Sequence, residues 1–118
     1  MKMFMAVYIG TQASVDRSGW NKLDDAARQA RVKAGMEAWA KWAETHHEAI
    51  VIPGAPLGKT TRIGADGIRD VVNPLSGFVI VRAESQEAAA RMFSNHPHFT
   101  IFPGDSVEIM QCMPIPTQ

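Results

Sequence analysis

An α+β fold, with one antiparallel sheet carrying its helices on a single face, is predicted by three stretches of the sequence. Residues 77–83, Gly-Phe-Val-Ile-Val-Arg-Ala, read as a buried strand, and they run directly into a helix that begins after Ser85. Residues 2–9 are apolar on both alternating faces, which is the pattern of a strand covered on both sides. Residues 21–47 contain no proline and many alanines, which favours one long helix. Placed in chain order with the remaining strands, these give βαββαβ.

The elements follow one by one. In the first strand Met3, Met5, Val7 and Ile9 share one face, and Phe4, Ala6 and Tyr8 share the other. Residues 10–20, punctuated by Gly10, Ser18 and Gly19, are expected to form a loop before the helix. Within 21–47, Val32, Met36, Trp39, Ala43 and His46 recur at three- and four-residue steps, with Gly35 and Trp42 beside them. Lys33, Glu37, Lys41 and Glu44 fall on the opposite face, spaced for consecutive ion pairs that mark the solvent side. Before Val32 the stripe fails, because Asp24, Asp25 and Arg28 lie where Trp39 and Met36 later fall. The first turns are therefore either a separate piece or a projection beyond the sheet.

Residues 49–52 are strand-like, and Pro53, Gly54 and Pro56 are expected to bend or break that strand. Residues 59–64 and 68–72 flank Ala65-Asp66-Gly67 and predict a hairpin, with Gly67 able to take positive φ. Asn73-Pro74 is a further turn. In the second helix Ser85 is the expected N-cap, Ala88, Ala89, Met92 and Phe93 form the apolar stripe, and Pro97 ends the helix by forcing His96 out of helical geometry. Residues 105–113 close the chain as a strand, with Val107, Ile109 and Met113 alternating against Glu108 and Cys112, before a tail carrying Pro114 and Pro116. No internal repeat or linker interrupts this order, so a single domain over 1–118 is expected. The second sheet face is also apolar. In a chain of 118 residues a second copy is the expected cover, giving a homodimer.

Composition narrows the function classes. Twelve basic and twelve acidic side chains give zero formal charge, which argues against a nucleic-acid or anionic-membrane surface. The one cysteine, Cys112, allows no internal disulfide and suits a reducing compartment. The N-terminal apolar run is too short for a signal peptide and no stretch approaches a membrane span, so a cytoplasmic protein is expected.

Several residues in series carry a family resemblance. These are Trp39-Ala40-Lys41-Trp42 at the end of the long helix, Pro53-Gly54-Ala55-Pro56-Leu57, and the Asp66-Gly67 hairpin. The series continues with Ser76-Gly77-Phe78-Val79-Ile80-Val81 running into Ala83-Glu84-Ser85 and Ala88-Ala89, then His96-Pro97, then Val107-Glu108-Ile109. Together they resemble the YCII-related proteins over nearly the whole chain. The resemblance implies a ferredoxin-like dimeric α+β barrel with a cleft between sheet and helices in each protomer. Some members of that family resemble small-molecule enzymes acting on aromatic ring products, with a proposed His-Asp pair on and near the first helix. The present sequence departs from that pattern: Glu37 stands near the histidine's place, and the helix carries histidines only at its end, His46 and His47.

The candidate site residues are therefore read from this chain. His46-His47 and His96-Pro97-His98 are two clusters of groups that exchange protons near neutral pH. His96, His47 and Asp105 are the candidate catalytic set, with His96 the strongest because it stands at a sharp helix end beside the closing strand. His46, His98, Trp42, Arg62 and Arg82 are candidate ligand-binding residues, the arginines as partners for a carboxylate. Trp39 and Trp42 could stack an aromatic ligand, but core packing is the favoured reading for both, as it is for Met36 and Met92. Gly54-Ala-Pro-Leu-Gly58-Lys59-Thr60 is not a phosphate loop, since three residues separate the glycines and a strand follows. No cofactor is expected and no metal ligand is assigned. Two functions fit: a small-molecule-binding protein or enzyme using the histidine cleft for acid–base chemistry, or a non-catalytic dimeric interaction module acting through the Lys33–Glu44 face. The first predicts a His96→Ala protein that folds normally but loses ligand binding or turnover.

Overall fold

In the computed structural model, which describes residues 1–116, six strands and four helices follow one another. They are β1 (Lys2–Ile9), α1 (Gln12–Ser18), α2 (Asp25–Thr45), β2 (Ile50–Pro56), β3 (Thr60–Gly64), β4 (Gly67–Val71), β5 (Leu75–Ala83), α3 (Gln86–Arg91), α4 (Pro97–Thr100) and β6 (Ser106–Gln111). Four strands form an antiparallel sheet in the order β2-β5-β1-β6, and the β3–β4 hairpin is inserted between two neighbouring strands of that sheet. With that hairpin set aside, the order is ferredoxin-like, and helices cover one face. No helix is long and apolar enough to cross a membrane.

The core lies where the strand alternation places it. Phe4, Ala6 and Tyr8 of β1 stand beside Val79, Val81 and Ala83 of β5 and pack against Ala89 and Phe93, with Trp39 and Trp42 of α2 closing over them. The opposite sheet face carries Met3, Met5 and Val7, paired with Arg82, Ile80 and Phe78 of β5, and Met110 of β6 beside Met5. Molecular extents of 57 × 42 × 19 Å match one sheet and one helical layer in the thin direction.

Several expectations are corrected. Residues 10–20 are not a loop. Thr11 accepts a hydrogen bond from the Ser14 N–H, Ser14 Oγ accepts one from the Thr11 N–H, and Gly19 ends the helix in the left-handed region at φ 72°. A short 3₁₀ turn, Trp20–Lys22, follows, and Asp24 then caps α2 by accepting from the Ala27 N–H. The stripe that fails at Asp25 and Arg28 belongs to the same continuous helix as Met36 and Trp39, so it does not mark a separate piece. On α2 itself Val32 and Met36 are exposed, and Gly35 is the buried residue of the helix, because the Phe102 ring lies against it and leaves no room for a side chain. Lys33, Glu37, Lys41 and Glu44 do face solvent, but among the described residues no ion pair joins them.

Of the two expected outcomes at Pro53 and Gly54, β2 is bent and not broken. The strand continues to Pro56 with two register slips against β5. The slips are possible at an edge, where Pro53 has no inner donor to lose, and because Gly54 takes φ 73°. Pro97 does not end the preceding helix. That helix stops at Arg91, four turn residues follow, and Pro97 opens α4 at the position where its missing N–H costs nothing. The closing strand stops at Gln111, which leaves Met113 outside it and Cys112 exposed. The hairpin forms as expected, with Gly64 paired to Gly67 across Ala65-Asp66.

Candidate functional site

A cavity of about 740 Å³ opens between α2 and the ends of β2 and β5. Met36, Trp39 and Trp42 of α2 form one wall, residues 53–56 of β2 and 76–79 of β5 the other, and Tyr8, His98 and Phe102 complete it. The sheet supplies this space because β2 bulges at Gly54. A Cβ on Gly54 would lie 1.7 Å from the Phe78 carbonyl oxygen, so the close approach of β2 and β5 here requires glycine. The lining is chiefly apolar and aromatic. Among the described residues no Asp, Glu, Lys or Arg borders it, and its polar side chains are those of Tyr8, Ser76, His98 and the two indoles.

Behind the cavity wall stands His96, fully buried and bordered by the rings of Trp39, Trp42 and Tyr8, with centroids 4.5, 4.7 and 5.2 Å away. The two tryptophans meet it edge-on. Trp42 is fixed in that pose by its Nε1–H, which donates to the Met92 carbonyl at 2.7 Å. His96 is also the N-cap of α4: its Nδ1 accepts from the His98 N–H at 3.0 Å. Its Nε2 lies 3.5 Å from the Tyr8 hydroxyl. Burial pushes the His96 imidazole down to about 3, helped by the neighbouring charges of His98 and His46, so it stays neutral. Burial pushes the Tyr8 phenol up from its usual value.

His98 is held differently. Its Nε2–H donates to the Ile9 carbonyl at 2.8 Å, and its ring lies so close to Gly104 that a Cβ there would come within 2.3 Å of Cε1. Burial lowers its pKa, opposed by the carbonyls of Ile9 and Ser106 and by the Asp105 carboxylate. A neutral ring that donates through Nε2 carries its lone pair on Nδ1.

The residues singled out from sequence therefore separate into groups. His96, His98 and Trp42 come together. His46 lies against Trp42 with centroids 5.1 Å apart and ring planes tilted by 49°, at the rim of the same cluster. Asp105 lies outside the cavity lining, ion-paired to Arg17 at 3.0 Å; the Ser106 hydroxyl and Arg17 hold its carboxyl below the usual range. His47 is exposed at the end of α2 and joins none of these contacts, because it follows the C-cap and the chain turns away. Arg62 is on the hairpin, paired to Asp66 at 3.0 Å. Arg82 alternates onto the sheet face opposite the helices and donates through Nε and Nη2 to the Glu48 carbonyl. Neither arginine borders the cavity, so the expected carboxylate partners are not at the cleft.

Tyr8, Phe102 and Met36 were not anticipated as lining. For Tyr8 a signal existed: it is the one residue of the inward Phe4-Ala6-Tyr8 face with a hydroxyl that needs a partner. Trp39 and Trp42, read as core, both pack on the core and border the cavity.

No family model matches the chain, and no curated protein matches it. Among solved structures the chain is similar to 5-chloro-2-hydroxyhydroquinone dehydrochlorinase (TftG) from Burkholderia phenoliruptrix AC1100, in complex with 2,5-dihydroxybenzoquinone. The two share 17% sequence identity with a TM-score of 0.56, over 94% of this chain and 93% of that one. This likeness is one of fold, and it extends over both chains nearly end to end.

Proposed function

We propose that this chain is a YCII-related protein that binds a small oxygen-bearing ring compound, neutral or with its charge delocalised over the ring, in the cavity between α2 and the β2–β5 edge, and acts on it by acid–base chemistry. The observation that carries the reading is the cavity itself. Its volume suits a one- or two-ring ligand, its walls are indole, phenyl and proline surfaces, and its few polar side chains are concentrated at Tyr8, Ser76 and His98. A lining without ionised side chains does not repay the desolvation of a phosphate or an isolated carboxylate, which selects neutral or charge-delocalised rings. Flat rings stack well on Trp39 and Trp42. The fold likeness to a dehydrochlorinase bound to 2,5-dihydroxybenzoquinone supports the same class of ligand.

His98 is the group proposed to move a proton, through Nδ1, its unprotonated nitrogen. Its lowered pKa makes it a weak base, suited to a hydroxyl already made acidic by an electron-poor ring. His96, buried behind the wall, supports the site instead of touching the ligand.

The second sheet face is proposed to be covered by another copy, giving a homodimer, since Met3 and Met110 are exposed there beside Met5.

Titration of the protein with 2,5-dihydroxybenzoquinone, followed by tryptophan fluorescence, tests the ligand reading. Saturable quenching is expected, and a His98→Asn variant with an unchanged circular dichroism spectrum is expected to bind at least about tenfold more weakly or turn the ring over more slowly. Absence of saturable quenching by this and by other hydroxylated rings would refute it.

A further inference from the structure

The polarity of the buried hydrogen-bond chain has a chemical consequence for the ligand. A peptide N–H can only donate. The His98 N–H points at His96 Nδ1 at 3.0 Å, so that nitrogen must carry a lone pair. A proton on Nδ1 would set two donors against each other. The neutral ring therefore carries its proton on Nε2, the atom 3.5 Å from the Tyr8 oxygen, and that proton is offered to Tyr8. Tyr8 cannot donate back to the same nitrogen. Among the described residues the Tyr8 hydroxyl makes no other hydrogen bond, and Tyr8 is one of the residues that border the cavity. Double protonation of His96, which would not change this direction, is opposed by burial and by His98 and His46.

We infer that Tyr8 is a hydrogen-bond donor to the ligand, its proton turned toward the cavity by His96, and that the ligand consequently presents an acceptor oxygen at this point: a ketone, a quinone carbonyl or a phenolate. This rests on the cavity being the ligand site. It makes Tyr8 a specificity-determining residue and His96 a positioning residue. The capping bond at the start of α4 thereby sets which end of a ring compound faces inward. A neutral phenol meets this donor through an oxygen lone pair, with its own proton directed away from Tyr8. The same donor stabilises negative charge that develops on the ligand oxygen when a proton leaves elsewhere on the ring.

Two probes of matched shape test this: 2-acetylnaphthalene, which has a carbonyl acceptor, and 2-ethylnaphthalene, which has none. Wild-type protein is expected to bind the ketone more tightly and to shift its carbonyl stretch to lower wavenumber. Tyr8→Phe is expected to weaken the ketone by about tenfold, to leave the hydrocarbon within about twofold, and to abolish the shift. His96→Gln, whose carboxamide can accept from the His98 N–H and donate to Tyr8, is expected to keep the shift. His96→Leu is expected to lose it while still binding the hydrocarbon. The carbonyl band is a readout that a purely structural role for His96 would not move. Equal binding of the ketone by wild type and Tyr8→Phe, or an unshifted band in wild type, overturns this inference and leaves the cavity reading intact. Failure of both probes to bind overturns the cavity reading and this one with it.

Discussion

His96 has two neighbours that depend on it, the His98 N–H and the Tyr8 hydroxyl. Its removal leaves the His98 N–H without its acceptor and opens a void among Tyr8, Trp39 and Trp42, so His96→Ala is expected to fold with reduced stability. Loss of about 2–4 kcal/mol is expected from denaturant titration. The same residue makes stability pH-dependent. Unfolded, a histidine titrates near 6.5; folded, this one titrates at about 3. The unfolded state therefore takes up the proton first, and the contribution is present above pH 6.5 and lost progressively toward pH 3, by up to about 5 kcal/mol. Melting temperature against pH is expected to fall across that window in wild type and to fall less steeply in the alanine variant. The pivot at His96-Pro97-His98 was legible in the sequence because proline and two histidines stand together. The use made of each histidine was not, since their different partners, the Tyr8 hydroxyl and the Ile9 carbonyl, lie 88 and 89 residues away in the chain.

Among the elements, β2 shows where sequence rules mislead. Pro53 and Gly54 in an otherwise extended run signal a break in a central strand, yet the same pair is acceptable at a sheet edge, and only the topology says which applies. Gly54→Ala is expected to be among the most damaging single-methyl additions in the chain. The new Cβ meets the Phe78 carbonyl, and alanine also resists φ 73°. A cost of more than about 2 kcal/mol is expected, measurable by urea unfolding, together with a narrowed cavity and weaker ligand binding. The first helix, α1, was missed although Thr11, Ser14 and Gly19 stand at its capping positions. The polar composition of residues 10–20 masks them. Ser14 also donates to the Pro103 carbonyl at 3.0 Å, tying α1 to the loop before β6, a contact that no local pattern announces.

At the scale of the molecule, the radius of gyration is 16.3 Å, larger than the roughly 13–14 Å of a compact chain of this length. The hairpin contributes to this, since β3 and β4 pair with each other and pack extensively on nothing else, leaving Ile63 and Ile68 exposed. The ferredoxin-like order of strands and helices was readable from the alternation of the strands and from the proline-free, alanine-rich run of α2, not from an apolar stripe on α2, where Val32 and Met36 are exposed. That the other sheet face needs cover was legible in the alternating Met3, Met5 and Val7, and a second copy is the proposed cover. A homodimer of twice 12.9 kDa is expected by light scattering, and Met5→Glu, at the centre of that face, is expected to give a monomer. A wild-type monomer at micromolar concentration would exclude this arrangement.

The two borders of the four-stranded sheet are unequal. Along β2, prolines at 53 and 56 remove N–H groups and the register slips bend the strand, so no further strand can zip onto it. Along β6 there is no proline, and the Gln86 carboxamide occupies the Ile109 carbonyl at 3.1 Å. Any growth of this sheet by strand addition, whether in a misfolded aggregate or in a designed fusion, is thus one-directional: it starts at β6, and the glutamine side chain is the latch that holds that side shut.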